Sequence, residues 1–184
     1  MESFKFKIMR KAAMLCAFYL IGTICLQAKN PSYMEYIEKY YPIAVEEMQR
    51  TGIPASIKLA QGILESNVGR SFLAVEANNH FGIKCGSTWS GKKKFREDDD
   101  YDKKGRIRKS CFRAYEAPEM SFYAHSQFLK DPNKAYRYGF LFDLDSDDYI
   151  AWAKGLQRSG YATNPKYSKS LISLIEQYEL FQYD

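Results

Sequence analysis

Ile63-Leu64-Glu65-Ser66-Asn67-Val68-Gly69-Arg70-Ser71 sets a single carboxylate at the end of an apolar run and follows it at once with small and polar residues. Upstream, Gly52 closes the preceding segment and Pro54 suits the first turn of a helix, where a missing N–H costs nothing. The spacing therefore predicts a helix from Pro54 to about Asn67. Ile57, Ala60 and Leu64 recur at roughly helical spacing and form the expected core stripe. Glu65 is the next residue round, at the edge of that stripe. A carboxyl group there is partly desolvated, which favours its neutral form and raises its pKa toward the range of a general acid. The competing reading is a solvated charge at a helix end, and helix position alone does not choose between them.

Before this helix, Lys5, Lys7, Arg10 and Lys11 precede an apolar run from Ala12 to Leu26, with Gln27-Ala28 as a small-residue cleavage site. The pattern is that of a secretory signal peptide over residues 1–28, and the run is short for a membrane span of about 20 residues. Ile24 before Cys25 is too large for a lipoprotein signal. An exported protein in the periplasm or outside the cell is expected, with residues 29–184 forming one domain, a monomer, with no stable membrane span after cleavage. Of the 184 residues, 27 are Lys or Arg and 22 Asp or Glu, a net charge of +5; without the signal the balance is 23 to 21, or +2. That near-neutrality removes the electrostatic case for nucleic acid. Cys85 and Cys111 remain as a disulfide candidate, since two cysteines without a nearby His pair make no zinc-ligand set.

Along the rest of the chain, Ser32 with Glu35 makes a capping-box pattern, and Pro42 is expected to interrupt or restart the first helix. Phe72-Leu73-Ala74-Val75 is a short apolar turn, and Asn78-Asn79 with Gly82 predicts a loop whose amides serve the backbone or a sugar. From Trp89 to Tyr115 helical periodicity disappears. Lys92 to Tyr101, a turn at Asp102-Lys103-Lys104-Gly105, and Arg106 to Tyr115 form an exposed hairpin. Its alternating Asp98, Asp100 and Asp102 fail as a calcium loop, because Lys103 and Lys109 stand where Gly and Glu are needed. This acidic run is either a solvated face or the carrier of a carboxylate facing Glu65. Helices resume at Pro118, with His125 read as a packing histidine, then behind a cap at Asp145 or Ser146, and finally after Asn164-Pro165, where Leu171, Leu174, Ile175 and Tyr178 form an amphipathic stripe. The class is mainly α (α+β), with a small β-excursion. Fifteen Tyr residues suit a sugar cleft but equally a core.

Four blocks in order, Glu65 to Ser71, Asn78-Asn79-His80-Phe81-Gly82-Ile83-Lys84, Phe112-Arg113-Ala114-Tyr115, and Gly160-Tyr161-Ala162-Thr163-Asn164-Pro165-Lys166-Tyr167, resemble glycoside hydrolase family 73, the peptidoglycan β-N-acetylglucosaminidases. The resemblance covers about Tyr33 to Tyr183. It implies a lysozyme-like fold, a helical lobe and a β-hairpin lobe flanking a cleft, and a peptidoglycan glycan strand as the substrate. It also implies Glu65 as the acid that protonates the bond between N-acetylglucosamine and N-acetylmuramic acid. Tyr161 falls on the family's site tyrosine. Asn79 is implied as a sugar contact, Phe81 as a packing residue of the cleft floor, and Lys84 and Tyr115 as further substrate contacts.

The second carboxylate of the family stands on the hairpin just before its turn, which implies Asp99 or Asp100 here, with Asp98 and Glu97 behind them. If the two acids stand about 6.5–9.5 Å apart, a water fits and the anomeric centre inverts; at about 5–5.5 Å the second acid attacks directly. A third route uses the substrate's own 2-acetamido group as nucleophile. None of these routes calls for a cofactor or a metal. A glycan-binding module without catalysis, and a muramidase or lytic transglycosylase on the same fold, are the alternatives.

Overall fold

The computed structural model of the protein describes residues 29–101, 105 and 107–184, of which 98–101 and 107 are described by backbone alone. The expected signal peptide at 1–28, and Asp102, Lys103 and Lys104 of the expected turn, lie outside the described residues. Helix α1 spans Pro31–Thr51. Its start is set by Asn30, whose Oδ1 accepts from the Ser32 N–H at 3.0 Å with Pro31 in the first turn, and not by a Ser32–Glu35 capping box. Pro42 does not interrupt it: the proline is exposed, and the helix runs unbroken to Gly52, whose φ of +80° gives the left-handed stop.

Helix α2, Ala55–Ser66, is the axis of the fold. Every residue from Ala55 to Ile63 is buried, because α1, two later helices and the C-terminal turn surround it. The expected single stripe is corrected accordingly. Ile57 and Ala60 are wholly buried, but so is the opposite face, while Leu64 is 37% exposed at the end that opens on solvent. Burying Ile57, Leu59 and Ile63 contributes roughly 1.5–3 kcal/mol each. Gly62 permits the close approach of α1, since a Cβ there would lie 2.6 Å from the Tyr36 hydroxyl. The Asp184 carboxylate accepts from the Ser56 N–H at 2.8 Å, placing an anion at the N-terminal end of α2.

Burying this helix all round also buries four polar side chains, Ser56, Lys58, Gln61 and Ser66. Lys58 donates to Ser126 Oγ at 2.6 Å and to the Phe122 carbonyl at 3.3 Å, and contacts His125 Nδ1 at 3.2 Å. Burial lowers its pKa to about 7, against the opposing pull of Glu47. His125 is the packing histidine expected, its ring stacked 4.2 Å from that of Phe81.

The apolar turn after α2 is a short helix, α3, Phe72–Ala77, capped by Ser71 Oγ on the Ala74 N–H. Strands β1, Lys93–Tyr101, and β2, Ile107–Arg113, form the antiparallel hairpin. They run in register from Lys93 opposite Arg113 to Glu97 opposite Lys109. Three positions on β1, 98 to 100, then meet one on β2, 108, before Tyr101 pairs with Ile107. The segment before the hairpin is stitched to β2 by the Lys84–Phe112 bridge and by Cys85 N–H donating to the Cys111 carbonyl at 2.9 Å. Cys85 and Cys111 are disulfide-bonded, with Cα atoms 5.5 Å apart.

Helix α4, Pro118–Leu129, then leads through a 3₁₀ turn, the short α5, Ala135–Tyr138, and a second 3₁₀ turn into α6, Tyr149–Arg158. The cap of α6 is Asp148, one turn later than expected, its carboxylate accepting from the Ala151 N–H at 2.8 Å. Helix α7, Tyr167–Gln177, packs its Leu171 and Ile175 against α2, with Leu174 only partly buried. The result is a mostly helical body with a two-stranded lobe, the class expected. No described helix is long and apolar enough to cross a membrane.

Candidate active site

Glu65 ends the last turn of α2, where the chain reverses sharply. Asn67, Val68 and Gly69 have φ of +50°, +58° and +74°, three consecutive left-handed residues. A β-branched residue there is strained by about 1–3 kcal/mol. The turn is held by Ser66, whose hydroxyl donates to the Gly62 carbonyl and accepts from the Gly69 N–H at 2.6 Å, and by Val68 N–H on the Ile63 carbonyl at 2.9 Å. This turn leaves Glu65 on the rim, exposed to a cleft of about 560 Å³ while protein surrounds its other sides. Burial raises its pKa. The Tyr167 hydroxyl donates to Glu65 Oε1 at 2.9 Å and opposes that rise. Tyr167 is itself oriented by Gln61, one helical turn before Glu65, whose Nε2 donates to the Tyr167 oxygen at 3.0 Å. With Tyr167 holding one carboxyl oxygen, the other is open to a ligand.

The opposite wall is the hairpin, which brings Arg96, Glu97 and Phe112 to the cleft. Lys84, Phe81 and Tyr138 complete the floor and sides, and Tyr161 stands beside Glu65, stacked on Tyr167 at 5.7 Å. Burial first, and the Glu65 carboxylate second, push the Tyr161 phenol well up, so it stays neutral and can donate. Its position is fixed by Arg137, which donates through Nε to the Ser159 carbonyl at 2.6 Å and through Nη2 to the Gly160 carbonyl. Among the described residues no group of three or more His, Cys, Asp or Glu could hold a metal. A carboxyl pushed toward its neutral form by burial, a neutral phenol and a facing wall with a second carboxylate can do acid–base chemistry on a glycosidic oxygen.

Residues 41–180 match the glucosaminidase family, described as mannosyl-glycoprotein endo-beta-N-acetylglucosaminidase. The chain belongs to that family. Exo-glucosaminidase LytG of Bacillus subtilis is 35% identical over 130 residues, covering 70% of this chain and 45% of LytG. Peptidoglycan hydrolase FlgJ of Pseudomonas aeruginosa is 29% identical over 153 residues, covering 80% of this chain and 37% of FlgJ. The chain thus spans less than half the length of these curated relatives. The catalytic domain of the Listeria monocytogenes autolysin Auto superposes with a TM-score of 0.71 over 95% of this chain and 97% of its own, at 24% identity, a likeness of fold. The match agrees with the family 73 resemblance of the four sequence blocks and with the lysozyme-like fold it implied.

In this glucosaminidase the expected residues divide. Glu65, Phe81, Lys84 and Tyr161 line one cleft. Asn79 does not: it is 1% exposed, and its amide donates to the Ile83 and Arg113 carbonyls while accepting from the Ile83 N–H, so it builds the loop behind the floor. Tyr115 is also corrected. It is buried outside the cleft wall, edge-on to Trp89 at 5.8 Å. The side chains of Asp98, Asp99 and Asp100 lie outside the described residues, whereas Glu97, ranked behind them in the sequence, lines the cleft. Sequence reasoning missed Tyr167 and Gln61. The signal for Gln61 was its spacing of four from Glu65 on one helix face; Tyr167 closed a quoted block, with no local feature to mark its hydroxyl.

Proposed function

We propose that this glucosaminidase is an exported peptidoglycan hydrolase that cleaves the β-1,4 bond between N-acetylglucosamine and N-acetylmuramic acid, in wall remodelling or the separation of daughter cells. The observation that carries the reading is the Glu65 carboxyl. It is held toward its neutral form by burial, pinned at one oxygen by Tyr167, and opens on a cleft faced by the hairpin. In this scheme Glu65 protonates the glycosidic oxygen, and Tyr161 donates to the sugar at the reacting centre. A carboxylate of the hairpin, Asp99 or Asp100 with Asp98 and Glu97 as the other members of the run, activates water or orients the substrate's acetamido group. The description of LytG as an exo-glucosaminidase supports the bond class and that of FlgJ as a peptidoglycan hydrolase the substrate, and the basic-then-apolar residues 1–28 support export.

Two measurements test this. Glu65→Gln preserves shape but removes proton donation, and wall digestion should fall about 10²–10⁴-fold; undiminished digestion defeats the assignment of the acid. Mass spectrometry of the products should show N-acetylglucosamine at the new reducing end. N-acetylmuramic acid there would make the enzyme a muramidase, and an anhydro end a lytic transglycosylase.

A further inference from the structure

Next to the cleft lies a second hollow of about 410 Å³, at the C-terminal end of α4. Its walls include Arg113, Gln127, Phe128, Lys130, Asp131 and Lys134. Phe128 lines both hollows, so they are neighbours across one aromatic ring. Arg113 joins them a second time, its Nε donating at 3.2 Å to the carbonyl of Lys84, a cleft residue. The lining thus carries three cationic residues and one carboxylate, Asp131, which is engaged by Lys134, whose ammonium also lies 4.6 Å from the Phe128 ring centre; the Arg113 guanidinium lies over the Trp89 ring at 4.8 Å. Lys130 donates to the Thr51 carbonyl at 3.2 Å, which fixes its ammonium beside the end of α1.

A glycan of N-acetylated sugars is uncharged at its rings and gains little from such an excess of cations. The muramoyl residue is different, because its lactyl arm carries a peptide with free carboxylates, and that arm leaves the sugar sideways from the strand. We infer that the Phe128–Arg113 groove receives the acidic peptide stem of a muramoyl residue whose sugar lies in the cleft. The inference rests on the peptidoglycan reading above and adds to it a charge-based preference for stem-bearing over stem-free strands.

Gln127 gives a clean test, since it is exposed on the groove wall and no hydrogen bond to a described residue holds its side chain. Binding of the full-length mature protein is measured by co-sedimentation with intact peptidoglycan and with the same material after an amidase has removed the stems. Gln127→Glu should weaken binding to the intact material about fivefold at low salt and Gln127→Lys should strengthen it by a similar factor, with the difference shrinking as salt is raised. Neither variant should alter binding to stripped glycan. Equal affinities of both variants for intact peptidoglycan, or equal shifts on intact and stripped material, would overturn the inference. Because binding and not cleavage is read, a wild-type protein that prefers stems but cuts nothing would sink the hydrolase reading and leave this one standing.

Discussion

Replacing Tyr167 by Phe deletes one oxygen atom and with it the hydrogen bond that holds Glu65 Oε1 at 2.9 Å. That bond favours the charged carboxylate, so its loss raises the Glu65 pKa further. A hydrogen bond to a charged group contributes roughly 1.5–3 kcal/mol, and 1.36 kcal/mol corresponds to one pH unit, which gives about one to two units. Glu65 opens on the cleft, and water there replaces part of the lost donor, so about one unit is expected. In the proposed scheme Glu65 works in its protonated form. Activity therefore falls as pH rises through its pKa, and the alkaline limb of the kcat/KM profile on peptidoglycan should move up by about one unit. The same substitution orphans Gln61 Nε2 inside the core, at a cost of roughly 1–3 kcal/mol in stability. Gln61→Leu combined with Tyr167→Phe removes the orphan and should recover much of that stability while the limb stays shifted. An alkaline limb that stays in place or moves down in both variants would refute the coupling of Tyr167 to the acid.

The remaining predictions concern the scaffold. Lys58 has a folded pKa depressed to about 7, so between pH 7 and its unfolded value near 10.5 the unfolded chain binds more protons, and stability rises with pH by at most about 1.4 kcal/mol per unit. Thermal unfolding of Lys58→Met against wild type should show that slope lost in the variant, and parallel curves would disprove it. Arg137→Gln releases the Ser159 and Gly160 carbonyls and frees Tyr161 to wander. kcat should drop about tenfold with KM less affected, and Arg137→Lys should rescue poorly because an ammonium lacks the planar fork. Replacing Cys85 and Cys111 by Ser opens a loop of 26 residues, which costs about 3.5 kcal/mol by chain entropy. In calorimetry the Tm should fall by about 10 °C.

Much of this could be read from the chain because local rules governed it. The helical period around Glu65, the loss of period from Trp89 to Tyr115, and the stripe of Leu171 and Ile175 each map to an observed element. What local rules could not decide was set by tertiary neighbours. A lysine in an apolar run reads as a solvated charge, yet Lys58 is wholly buried because α4 brings Phe122, His125 and Ser126 to meet it. Asn79 carries an amide suited to a sugar, but the loop's own carbonyls reach it first. Pro42 should break a helix, but at an exposed position the helix absorbs it.

The bond between Tyr167 and Glu65 joins positions 102 residues apart. Contacts of that separation form late, after the closure entropy of the intervening chain has been overcome. The acid sits on a helix completed early in synthesis, but its partner arrives with the last helix. Until α7 docks, Glu65 lacks the hydrogen bond that holds its carboxyl in place, so the site is completed only as that helix packs onto α2.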